Sequence, residues 1–93
     1  MSKNDQNKPM IHLIIPQFIW EMGEVLTLGS RKYGVNNWRN LDPNRILSAL
    51  YRHLLKYHSG SKRDEESGKN HMIHIGCNAM FLYYFDEIKE GEK

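Results

Sequence analysis

The chain has 93 residues, a single cysteine and a formal charge of +2 with histidine neutral; 40% of its residues are hydrophobic, 26% charged and 11% aromatic. This length allows one domain, near the lower limit for folding without a staple, and Cys77 alone excludes an intramolecular disulfide framework. The polar start is unlike a signal peptide, no apolar run reaches membrane-spanning length, and so small a net charge does not imply nucleic-acid binding; the expectation is a soluble cytoplasmic protein with neither membrane nor nucleic acid as partner.

Residues 1–9 read as a disordered leader. Residues 10–15 are a short apolar run, too brief for a helix, and are expected as an extended segment feeding a helix that carries Pro16 in its first turn, where the missing N–H costs nothing. From Pro16 onward Phe18, Met22, Val25 and Gly29 form one stripe, widened by Ile19 and Leu26. The helix stops at Gly29 or runs on to Tyr33, where Gly34 suits a left-handed cap. Residues 35–41 are a loop by composition. Asp42 followed by Pro43 is a helix start, and the second helix should run to about Tyr57 and bury Ile46, Leu47, Leu50 and Leu54. After a charged loop at 61–68, a third helix capped by Ser67 or Asn70 is expected to reach about Lys89. Its second half is apolar nearly all round, which asks for partners on all sides. The fold class is therefore all-α, a three-helix bundle completed by homo-oligomerisation.

Four groups of residues could carry chemistry. Glu21 and Glu24, three apart on a helix, could share a divalent ion through oxygen ligands or form a solvated face. His71, His74 and Asn78 fall on one stripe of the third helix, with Asp64, Glu65 and Glu66 upstream and His53 able to face the same centre. Such imidazoles can bind a metal, contact phosphate, act in proton transfer, or be bonded in a core. Tyr33, Asn37 and Trp38 lie in a glycine-punctuated stretch beside Arg31 and Lys32; rings stack on a nucleobase, amides read its edge, and the cations reach phosphates, unless the rings only cap the core. Arg45, Arg52 and Lys56 make a basic stripe that could hold a triphosphate or pair with acidic residues. Cys77, inside an apolar helix, reads as core.

In order and with short spacers, several stretches carry a family likeness: Pro16 with Glu21 and the run from Leu26 to Gly34; Asn37-Trp38; Ala49 to Leu55; and Glu65-Glu66-Ser67-Gly68 with His71, His74 and Asn78. From about Ile14 to Phe85 the chain resembles the phage-associated dATP/dGTP diphosphohydrolase N-terminal domain family and is similar to the wider all-α NTP pyrophosphohydrolases. The resemblance implies a single helical nucleotide-binding domain over 10–90, in the host cytoplasm if phage-encoded. It further implies cleavage of a purine deoxynucleoside triphosphate to the monophosphate and pyrophosphate, with Mg2+ or Mn2+ as cofactor.

On that reading Glu21, Glu24 and Glu66 hold the metal, and Glu21, Glu24, His71 and His74 are catalytic. Lys32, Tyr33, Asn37, Trp38, Arg45, Arg52, His53 and Asn78 bind the substrate, at a site shared between subunits. The chain departs from the wider enzymes where their second carboxylate pair would stand: His71, His74 and Asn78 occupy the third helix instead, and magnesium prefers oxygen. The alternative is a non-catalytic module that sequesters a nucleotide, for example a defence-signalling nucleotide.

Overall fold

The computed structural model describes residues 6–89. The proposed leader falls in part, at residues 1–5, outside the described residues, as does residue 90; residues 6–8 form an exposed turn and bend. The architecture is all-α. Three helices carry it: α1 (Pro16–Tyr33), α2 (Pro43–His58) and α3 (His71–Tyr83), with no strand among the described residues. None of the described helices is long and apolar enough to cross a membrane.

The segment expected to be extended instead makes one 3₁₀ turn at Ile11–Leu13. With no strand beside it, its backbone is satisfied locally, the Leu13 N–H donating to Met10 O at 3.1 Å and the Ile14 N–H to Ile11 O at 3.0 Å. Helix α1 passes Gly29 and ends at Gly34, whose φ of 97° is open to glycine and whose N–H closes on Ser30 O at 2.9 Å. Asn36 follows in the left-handed region, which asparagine tolerates, and reverses the chain into a 3₁₀ turn at Asn37–Asn40.

Helix α2 begins as its sequence indicates. The Asp42 carboxylate accepts the Asn44 N–H at 2.9 Å, and Pro43 occupies the first turn. The N-cap of α3 is Asn70, whose side chain accepts the Met72 N–H at 2.8 Å; Ser67 is committed elsewhere. The α-helical part of α3 stops at Tyr83 and the chain continues as a wider π-turn over Tyr84–Ile88, closed by the Lys89 N–H on Tyr84 O at 2.8 Å.

Helix α3 is the central element and packs against both α1 and α2. Among the described residues Ile46, Ile73 and Cys77 are the buried hydrophobic ones, and His71 is the buried polar one. Leu50 is half-buried, but Leu47 and Leu54 stay 38% and 40% exposed: α2 packs mainly on α3, so its apolar stripe is wider than the surface that covers it. Gly76 sets the approach of α1. A Cβ there would meet Phe18 ring carbons at 3.0 and 3.1 Å, so the absent side chain lets the ring lie on the α3 backbone. Beside Gly76 the buried Cys77 Sγ lies 3.7 Å from the carbonyl of Met22, one turn along α1 from Phe18.

The best-defined local determinant is the α2 cap. Asp42→Ala should lower stability by about 1 kcal/mol and the melting temperature by roughly 4–8 °C, read by thermal denaturation; an unchanged melt would mean that packing alone fixes the start of α2.

Candidate functional site

The site is assembled where the middle of α2, the loop at 62–70 and the start of α3 meet. The loop is held closed by its own backbone. The Asp64 N–H donates to Lys69 O at 2.8 Å, the Gly68 N–H to Asp64 O at 2.8 Å, and the His71 N–H to Lys62 O at 2.9 Å. Gly68 takes a φ of 72°, and the Arg63 guanidinium donates to its carbonyl at 3.2 Å. Within this frame the Asp64 carboxylate accepts the Ser67 N–H at 2.9 Å, which fixes it beside the histidines.

Three imidazoles gather there. His53 from α2 and His71 from α3 meet Nδ1 to Nδ1 at 2.9 Å. His74, one turn beyond His71, stacks on His53 with ring centroids 4.4 Å apart and planes 4° from parallel. Its Nε2 lies 2.7 Å from Ser67 Oγ and 3.6 Å from Asp64 Oδ2. His71 is 1% exposed, and its Nε2 has no hydrogen-bond partner among the described residues.

The surroundings set the protonation states. Burial, reinforced by His74 and His71 and opposed by Asp64, lowers the His53 pKa to about 4. Burial also lowers His74, against the pull of Asp64. Asp64 is itself partly desolvated, which alone would raise it, but the hydrogen bonds from Ser67 and the neighbouring imidazoles bring it below its ordinary value. At neutral pH the Asp64 carboxylate therefore stands beside His53 and His74 imidazoles that are neutral and able to accept protons. Cys77 is buried and its thiol is pushed up to about 11, in keeping with a core residue.

This cluster forms the polar wall of a cavity of about 720 Å³, within the range of small-molecule sites. His53, Asp64, Ser67, His74 and Asn78 line one side, Val25, Leu26 and Phe81 supply apolar surface, and Lys32, Tyr33, Asn37 and Trp38 border it from the end of α1 and the following turn. One face of Trp38 is taken by Phe81, stacked at 4.4 Å and 15°, and Tyr84 meets the indole edge-on at 5.0 Å. Trp38 thus anchors the 37–40 turn to the end of α3 while contributing to the cavity. The Tyr33 ring is exposed at the rim.

Of the residues expected at a site, Lys32, Tyr33, Asn37, Trp38, His53, Glu66, His74 and Asn78 line this one cavity, and His71 is buried behind His53. Arg45 and Arg52 do not line it. Both are exposed on α2, and Arg52 donates to Ser48 Oγ at 3.1 Å. Glu21 and Glu24 share one partner, the Lys69 ammonium, at 3.6 and 2.9 Å, while the Glu66 carboxylate pairs with Lys32. Among the described residues Glu21, Glu24 and Glu66 do not make a group whose carboxylates converge; the one such group of three is His53, Asp64 and His71, with ligand atoms all within 4.8 Å of one another. Sequence reasoning missed Ser67 as the partner of His74 and Lys69 as the cation on the glutamate pair. The latter contact spans 45 residues and has no local signal.

Comparison with known proteins bears on this geometry. A family model described as dATP/dGTP diphosphohydrolase, N-terminal, matches residues 1–93. A dATP/dGTP diphosphohydrolase of Salmonella phage PMBT28 is 38% identical over 82 residues, covering 88% of this chain and 28% of that protein. The chain thus corresponds to less than a third of its relative's length. No solved structure matches.

Metal-free protein should lose stability on acidification. His53 takes a proton at about 6.5 when unfolded and only at about 4 when folded, so its contribution is complete above 6.5 and is lost as pH falls toward 4, with His74 acting in the same direction. Melting of EDTA-treated protein between pH 7.5 and 4.5 should show this decline, and His53→Gln should flatten it. A melting temperature constant over that range would contradict the assigned neutral state.

Proposed function

The chain belongs to the dATP/dGTP diphosphohydrolase N-terminal family, a nucleotide-related hydrolase family, and from that premise we propose that its cavity binds a purine deoxynucleoside triphosphate and hydrolyses it to the monophosphate and pyrophosphate. The observation that carries the reading is the convergence, on one cavity, of base-recognising and proton-accepting residues from four separate stretches of the chain.

In this reading the base lies at the apolar end against Trp38 and Phe81, with the Asn37 amide able to read its edge and the exposed Tyr33 ring able to stack from the rim. Lys32 meets phosphate charge on exchanging its partner Glu66. That pair is about half exposed on the lysine side and more so on the glutamate, so its loss costs little, on the order of 0–1 kcal/mol. Water attacks the α-phosphorus, the bond to the oxygen bridging the α- and β-phosphates breaks, and pyrophosphate leaves with that oxygen. His74, neutral at pH 7 and aligned by Ser67, accepts the proton of the attacking water. Asp64, held ionised, stabilises the imidazolium that results.

The Mg2+ or Mn2+ expected from the family resemblance does not fit the glutamate pair as it stands. The Lys69 ammonium already occupies the side of Glu21 and Glu24 that a cation would take and offsets one of their two charges, and Glu66 lies on Lys32. That arrangement favours the second reading, a non-catalytic nucleotide-binding module using the same cavity. Self-association belongs to both readings. Ile15, Ile19 and Trp20 expose 68%, 51% and 71% of their surface along the first turns of α1, large apolar side chains of the kind that a second copy would cover. The phage relative supports the host cytoplasm as the compartment.

Incubation of the 93-residue protein with dGTP and dATP plus divalent ions, resolved by ion-exchange chromatography, tests the proposal. Deoxynucleoside monophosphate and pyrophosphate are the expected products, and His74→Gln should slow their release by about 10²–10⁴-fold. Nucleotides recovered intact, with depletion by bound protein, would replace hydrolysis with the binding reading.

A further inference from the structure

We infer that His53, Asp64 and His71 form a metal centre for a nitrogen-preferring divalent transition ion of the zinc or cobalt kind, built into the wall of the cavity and separate from the glutamate pair on α1. The donors come from three elements. His53 lies in the third turn of α2, Asp64 in the closed loop, and His71 is the first residue of α3, directly after its Asn70 cap. Their ligand atoms lie within 4.8 Å of one another.

The spacing of the two imidazoles is informative. Nitrogens bound at about 2.0–2.1 Å to one ion stand about 2.9 Å apart when the angle between them is a right angle and about 3.4 Å apart at the tetrahedral angle. The Nδ1 atoms of His53 and His71 are 2.9 Å apart, so both fit one ion with little movement. Without an ion the same contact needs exactly one proton between two like nitrogens. His71 Nε2, buried with no hydrogen-bond partner among the described residues, is unsatisfied in either tautomer. A cation in place of that shared proton is ligated by both Nδ1 atoms, with each ring neutral and its proton on Nε2, as metal ligands must be; the gain lies at the paired Nδ1 atoms and not at His71 Nε2.

The donor set also selects the ion. Two neutral imidazoles and one carboxylate carry a single negative charge, enough to offset half of a divalent ion. Imidazole nitrogen suits zinc, cobalt, nickel and iron, whereas magnesium requires oxygen and keeps its waters. The supporting shell is in place. Asp64 is oriented by the Ser67 N–H, and Ser67 also engages His74, which stacks on His53 and remains outside the ligand group. His53 and Asp64 both line the cavity, so an ion there is reachable by a ligand occupying it. The glutamate pair differs in both respects, an oxygen-only set on which the Lys69 ammonium is already seated.

The experiment uses untagged 93-residue protein, stripped with EDTA and titrated with Co2+ in the presence of a hundredfold excess of Mg2+, with visible d–d absorption as the readout and metal analysis after dialysis for stoichiometry. No nucleotide is present, so the result stands apart from the test of hydrolysis. About one Co2+ per chain is expected, retained against Mg2+ and displaced by Zn2+. Asp64→Asn and His53→Gln should each weaken binding at least tenfold with helical circular dichroism retained, while Glu21→Gln and Glu24→Gln leave it unchanged. His71 is buried and its variant tests folding as well as ligation, so Asp64→Asn decides. Absence of a d–d band, displacement by Mg2+, or loss of binding on Glu21→Gln but not on Asp64→Asn would overturn the assignment.

Discussion

The meeting of His53 and His71 at the crossing of α2 and α3 is the contact on which the rest of the structure is arranged. His71 is the one fully buried polar residue among those described, in a core that otherwise consists of Ile46, Ile73 and Cys77. A buried imidazole is costly unless its nitrogens are engaged; here Nδ1 is engaged across two helices, while Nε2 has no partner among the described residues. The loop between them must then bring Asp64 and Ser67 to the same place, which its backbone hydrogen bonds achieve within residues 62–71. So small a core devotes its centre to a polar contact; apolar packing at that point would give more stability per residue, and the polar choice is understandable if the centre carries chemistry.

The cavity follows from this arrangement. With α3 between its two neighbours, the end of α1 and the 37–40 turn are left standing away from α2, and the space they border opens onto His53, Asp64 and His74. Trp38 holds the far side by stacking on Phe81, and the Arg39 guanidinium lies over the Tyr84 ring at 4.6 Å. The same residues thus support the fold and shape a site. The glutamates that a carboxylate-based pyrophosphohydrolase would use are present on α1, yet they share a lysine, while His53 and His74 of the imidazole cluster line the cavity. The ammonium already seated on the glutamates, rather than residue type alone, separates the two clusters.

Much of this was legible in the sequence where the signal is local. Asp42-Pro43 marks the start of α2, Gly29 and Gly34 are both open as the end of α1 and the helix takes the second, and the one-turn spacing of His71 and His74 puts both on one helix with His53 able to face them. What was not legible depends on long contacts. Ser67 and Asn70 were equal candidates for the α3 cap, and the choice falls to Asn70 because Ser67 is drawn to His74 once the loop closes. Glu21 and Glu24 share a face by their spacing, but nothing nearby foretells Lys69. Leu47 and Leu54 follow the apolar period of α2 and still remain exposed, because a stripe records what a helix can bury and not how much surface a single chain offers it.

The central claim is that the imidazole cluster on α2 and α3 is the working wall of a nucleotide cavity. The most direct test is a long-range ¹H–¹⁵N spectrum of the imidazole and indole rings during titration with the non-hydrolysable analogue α,β-methylene-dGTP. The account requires the His53 and His74 ring nitrogens and the Trp38 indole N–H to shift together, with one dissociation constant. Saturable binding that leaves those three rings unmoved, or that shifts only Trp20 on the opposite end of α1, would contradict it.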